Sequence, residues 1–236
     1  MALYGTIING LLILIGSTLG LFFTKIPERY KETVMHGIGL AVLLIGLQMA
    51  LSTEVIIVVL LSLLTGAVIG ELLHLEEGLN RLGDWIGSKF TVSKEKEGFS
   101  VSQGFVTASL IFVIGAMAII GALDSGIRGD HEVLITKGIL DGFVALVLTT
   151  TLGFGVALSV VPVVLYQGTI ALLATQIERW LPEAFLNGLI VELTAVGGLL
   201  IMAIGFNILK ITKIRIGNLL PSVITIVVIY YLYQLF

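Results

Sequence analysis

The sequence predicts an all-α, polytopic membrane protein: about eight transmembrane helices, an inverted repeat and two short interfacial amphipathic helices. Three observations carry this. The chain is 57% hydrophobic and 12% charged, with a mean hydropathy of +1.09, about half the charge fraction of an ordinary soluble domain. Apolar runs of about 20 residues recur from one end to the other. Lys and Arg gather in alternate connections between those runs. So much apolar surface does not fit inside one water-facing core, so the bilayer acts as solvent.

In chain order the apolar runs fall at 4–23, 34–51, 54–73, 101–122, 133–152, 156–176, 189–209 and 216–235. At about 1.5 Å per residue, each matches a hydrocarbon core about 30 Å thick. The first run does not read as a signal peptide, having no basic stretch before it and no small-residue cleavage site after it. Between the third and fourth runs, Leu75, Leu79, Leu82, Ile86 and Phe90 recur at helical spacing among Glu76, Arg81, Asp84 and Lys89. Ile177, Trp180, Phe185 and Leu189 repeat the pattern more briefly. Both segments, 75–90 and 177–189, predict helices lying in the membrane surface.

The basic residues set the orientation. Lys25, Arg29 and Lys31 lie in connection 24–33, Arg81, Lys89, Lys94 and Lys96 in 74–100, and Lys210, Lys213 and Arg215 in 210–216. Eight crossings put these ten of the thirteen basic residues on one side, leaving Arg128, Lys137 and Arg179 on the other. The positive-inside rule makes the ten-residue side cytoplasmic and both termini external.

The stretch "LTTTLGFG" within 148–155 resembles a potassium-channel filter loop in its letters. A re-entrant loop there would invert every later span and worsen the charge split to eight against five. A filter also needs four equivalent strands of carbonyls. Two readings remain open. In one, Thr149, Thr150 and Thr151 bond to helix carbonyls and Gly153 and Gly155 break the helix. In the other, the helix unwinds there beside a transport pathway.

Within this single integral membrane domain, 1–236, the chain resembles itself. The run 109–120 aligns with 199–210, and the order span, surface helix, span occurs twice with opposite sidedness. That suggests an inverted repeat of 34–122 and 133–210, a frequent transporter design. Gly16/Gly20, Gly66/Gly70 and Gly138/Gly142 are spaced for close helix packing, and make a homodimer plausible.

A carboxylate inside a span is a site hypothesis by default. Asp141 lies one turn after Lys137, either as a local ion pair or as part of a pathway. Glu192 lies about 12 Å into a helix that starts near Ala184, or at the mouth of one starting near Leu189; the surface-helix assignment favours the mouth. Asn9, Gln48, Gln103, Ser109, Gln167 and Asn207 are secondary polar candidates, suited to hydrogen bonds between helices.

No catalytic motif is present, the three histidines show no ligand spacing, and there is no cysteine. The expectation is therefore no enzyme, no cofactor and no metal. A net charge of −3 without a basic tract argues against nucleic acid as a partner.

"SLIFVIGAMAIIGALDSGIRGD" at 109–130, with "NGLLILIGSTLG", "GLAVLLIGLQMAL", "GAVIGELL", "KGILDGF", "YQGTIALLA" and "ELTAVGGLLIMAIGFNIL", resembles the YdfK/YqgA-like membrane proteins, domain of unknown function 554. The resemblance covers essentially the whole chain. It implies a multi-pass protein of the bacterial inner membrane, and it carries over no substrate and no site residues. The functional expectation is a transporter or channel for a small ion or polar solute, lined by Asp141, Thr149, Thr150, Thr151 and Glu192. The alternative is a non-transporting scaffold that binds partners or shapes lipid.

Overall fold

The computed structural model describes residues 2–22, 28–81, 101–114 and 116–235. Among these residues the fold is helical: α1 Tyr4–Phe22, α2 Glu28–Ala50, α3 Ile56–Leu72, α4 Leu75–Arg81, α5 Val101–Val113 and α6 Ala116–Ile127. Then come α7 Glu132–Leu152, the single turn α8 Gly155–Leu158, α9 Val160–Trp180, α10 Glu183–Ile208, a 3-10 turn Ile216–Leu219 and α11 Ser222–Tyr233. Among the described residues, five helices are long and apolar enough to cross a membrane, or up to seven if two bent pairs each count as one span. The pairs are α3 with α4, bent by 58°, and α5 with α6, bent by 60°. A shorter apolar stretch, His36–Ala50, lies in α2.

Two sequence expectations need correcting. The segment 177–189 is not one surface helix: Ile177 to Trp180 end α9, and α10 begins at Glu183. The break has a local cause. Leu181 precedes Pro182 and is extended, with φ −112° and ψ 123°, as a residue before proline prefers. Glu192 consequently sits about 14 Å inside α10 rather than at its mouth. The span expected at 101–122 is interrupted after Val113 and continues to Ile127. Of the other expected surface helix, Leu75–Arg81 is helical, while 82–90 lies outside the described residues, as do Lys25 and Gly115.

The chain divides into two compact units, 1–27 with 82–182 and 28–81 with 183–236. The sequence halves 34–122 and 133–210 therefore each contribute to both.

In the first unit, α1 and α7 run parallel. Gly5 lies against Leu134, Gly16 against Gly142, and Gly20 against Leu146 and Thr149. A methyl group at Gly16 would overlap the Gly142 carbonyl oxygen, so the two backbones meet directly. Helix α9 runs antiparallel to α1, with Gly168 near Leu3 and Val164 against Gly10. The Ser125 hydroxyl donates to the Ala2 carbonyl (2.7 Å) and meets His131 Nδ1 (2.8 Å), while the Tyr4 and His131 rings lie 5.2 Å apart. The amino-terminal segment and the connection before α7 thus share one end of this unit.

In the second unit, α2 and α10 are antiparallel through Gly46 against Gly198 and Met202, and Gly205 against Leu43. Helices α3 and α11 are antiparallel through Gly66 against Ser222 and Gly70 against Asn218. The Thr225 hydroxyl donates to the Ser62 carbonyl at 2.8 Å. Val58, Val59, Leu189, Ala195, Val196, Ile226 and Tyr230 form the buried core where α3, α10 and α11 meet.

Candidate functional site

The strongest concentration of buried polarity lies in the first unit. Lys137 and Asp141, one turn apart on α7, are 6% and 7% exposed and form an ion pair within their own helix. The spacing of four puts both side chains on one face. Asn9 of α1 lies beside them, because Gly138 leaves room for its backbone, and its side chain is near the Asp141 carboxylate. The same Asn9 amide nitrogen donates to Gln167 Oε1 of α9 at 3.2 Å. Asn9 and Gln167 are both fully buried. Three helices thus converge on one charged pair through two amides.

This cluster does not use all of its hydrogen-bonding capacity. Asn9 Oδ1, Gln167 Nε2 and the hydroxyl of Thr6, one turn before Asn9, are buried and have no partner. The orientation of the Asn9 amide follows from chemistry. Its NH2 side meets the acceptor Gln167 Oε1, and the carbonyl side is left over. Thr6 also lies close to Gly168, the neighbour of Gln167. The sequence reading missed Thr6; its place three residues before Asn9, on one face of α1, is the signal that was available.

Glu192 lies in the second unit and does different work. It is 1% exposed. One carboxylate oxygen accepts from Thr53 Oγ1 at 2.6 Å, and the other from the backbone N–H groups of Glu54 and Val55, both at 2.9 Å. Val55 is the N-cap position of α3, which has no side-chain cap of its own. Glu192 therefore caps α3 from a distance, placing negative charge where free N–H groups and the helix dipole favour it.

The threonine stretch is helical. Thr150 and Thr151 donate to the carbonyls of Val147 and Leu148 at 2.7 and 2.9 Å, whereas the buried Thr149 hydroxyl has no partner. Gly153 ends α7 with φ +72°, a conformation costly for any other residue. Gly155 packs against the Val101 backbone of α5. The break is thus in place at Gly153, after the threonines and not among them.

Of the secondary candidates, Asn207 folds the basic connection after α10. Its amide nitrogen donates to the Ile214 carbonyl, and its oxygen accepts from Thr212 Oγ1 and from the Ile214 N–H (2.7, 3.0 and 2.9 Å). Gln48 is exposed on α2, Gln103 half-buried on α5, and Ser109 half-buried with an unpartnered hydroxyl. Asn218, not singled out in the sequence, bridges Glu71 Oε2 and the Glu76 N–H at 2.6 and 2.8 Å, tying the 3-10 turn to the α3–α4 bend.

Comparison with known proteins fits this picture of apolar helices. The family model DUF554, "Protein of unknown function", matches residues 4–231. The "Uncharacterized membrane protein YdfK" of Bacillus subtilis (strain 168) is 36% identical over 227 residues, covering 94% of this chain and 93% of that protein. The "Uncharacterized protein YqgA" of Escherichia coli (strain K12) is 32% identical over 222 residues, covering 93% of each. No solved structure matches the chain.

Proposed function

Since the chain belongs to the DUF554 family, we propose that this helical protein is a bacterial inner-membrane transporter or channel for a small ion or polar solute. One observation carries the proposal: the buried Lys137–Asp141 pair lies beside Asn9, which reaches Gln167, and Asn9, Gln167 and Thr6 all keep buried polar atoms without a partner. Charge and unpaired polar atoms inside apolar helices are expensive, and a pathway is a standard reason to keep them.

The finer topology belongs to the same proposal. Eight traverses arise if the five long helices, the two bent pairs and His36–Ala50 each count once. The helix directions agree with strict alternation: α1 and α7 parallel, α1 with α9, α2 with α10 and α3 with α11 antiparallel. In this topology, connections 24–33, 74–100 and 210–216 are cytoplasmic and both termini external. The inverted repeat of 34–122 and 133–210 stays in the proposal on the likeness of 109–120 to 199–210 alone, since 177–189 is not a surface helix.

Solute flux into liposomes tests it. The purified chain should pass at least one member of a panel of ions and small polar solutes, and Asp141→Asn should change that rate. A second reading, a non-transporting scaffold, is favoured by the direct Gly16–Gly142 and Gly46–Gly198 contacts and by the capping duty of Glu192. Absence of flux across the whole panel would select it.

A further inference from the structure

We infer that Thr6, Asn9 and Gln167 form a binding site for a small uncharged solute that both donates and accepts hydrogen bonds, with water the smallest member of the class. The inference rests on the transport reading and narrows it.

The charge balance excludes ions as the favoured occupant. Lys137 and Asp141 are buried together and satisfy one another. A cation added beside them would leave one uncompensated positive charge among apolar helices, and an anion one negative charge. A neutral molecule adds none.

The unused atoms are complementary in kind. Asn9 Oδ1 is an acceptor, Gln167 Nε2 a donor with two hydrogens, and Thr6 Oγ1 either. All three belong to fully buried residues. Asn9 and Gln167 do not satisfy these atoms between themselves, because their one mutual hydrogen bond uses the Asn9 NH2 and Gln167 Oε1. Turning Asn9 would set its carbonyl against Gln167 Oε1, and turning Gln167 would set its NH2 against that of Asn9. A solute such as water or urea, offering N–H or O–H to Asn9 and an oxygen to Gln167, completes the set.

The test uses the full chain in liposomes, followed by light scattering under osmotic gradients of sucrose, for water, and of urea. A parallel panel covers potassium, sodium, proton and chloride. Water or urea should permeate faster than through empty vesicles. Thr6→Val, Asn9→Leu and Gln167→Met should each slow it by about fivefold or more, the scale of one lost hydrogen bond, and Thr6→Ser, which keeps the hydroxyl, should be slowed less than Thr6→Val. Thr6→Val is nearly isosteric, so it tests the site even if a larger change disturbs folding. Ion flux with neutral solutes at the empty-vesicle rate would overturn this inference and leave the transport reading standing. Neutral permeation unchanged by Thr6→Val would also overturn the site. No flux of any solute would overturn both.

Discussion

The Glu192 carboxylate of α10 accepts the backbone N–H of Val55 at 2.9 Å and so closes the amino terminus of α3 from 137 residues away. With Glu54 N–H and Thr53 Oγ1 on the same carboxylate, one buried side chain does what a local Ser or Asp cap normally does. Replacing it by Gln removes the charge: the carbonyl can still accept the two N–H groups, and the NH2 turns to the Thr53 hydroxyl, so only neutral hydrogen bonds remain. Glu192→Gln should therefore cost about 2 kcal/mol of stability, the scale of hydrogen bonds to a charged group. Heat unfolding of the detergent-solubilised chain should show a clear drop in midpoint, whereas the exposed Glu54→Gln should stay near wild type.

Glycine substitutions should divide sharply by position. A methyl group at Gly16 meets the Gly142 backbone, and one at Gly70 meets the Asn218 backbone; neither neighbour is a flexible side-chain end. Gly16→Ala and Gly70→Ala should therefore part the helices and lower stability by about 1–3 kcal/mol. Gly37, in α2, has open space around it. Gly37→Ala should be neutral or stabilise by about 0.5–1 kcal/mol, because alanine loses less backbone freedom in a helix. Unfolding midpoints of the three variants decide the matter.

The chain has no cysteine, so single-cysteine variants report sidedness without background. Arg128 and Lys213 are both exposed or half-exposed and lie in different connections. In the proposed topology they occupy opposite sides of the membrane. A membrane-impermeant maleimide added to intact cells should label Arg128→Cys, and should reach Lys213→Cys only after permeabilisation. Labelling of both from outside would remove the eight-traverse topology.

What is legible in the sequence follows from the physics of each feature. The apolar runs can be read because bilayer thickness imposes a length on every span, and α1, α3 and α7 end within about two residues of expectation. The glycine pairs are legible as faces, but that Gly16 meets the Gly142 backbone is a tertiary fact. At 177–189 the amphipathic spacing suggests one helix; Pro182 overrides it by forcing Leu181 into extended conformation. Glu192 and Asn9 show why polar sites resist reading from one sequence. Each can be marked as unusual in oil, but their partners, Val55 and Gln167, lie 137 and 158 residues away. Periodicity carries no information about such pairs.

The Lys137–Asp141 pair should show a strongly non-additive response. Both members are buried, so removing one leaves the other charged without a partner. Lys137→Met and Asp141→Asn alone should each destabilise by about 3–5 kcal/mol. The double variant carries no charge at this place, and the amide introduced by Asp141→Asn keeps a polar contact for the Asn9 side chain. It should recover most of that loss, since replacing a whole buried pair is often neutral or better. A double-mutant cycle of unfolding free energies measures the coupling directly. If the single losses simply add, the two residues do not act as one buried pair. Recovery of stability without recovery of flux would separate the two roles of the pair: its charges are mutually compensated in the fold, and their presence serves the pathway.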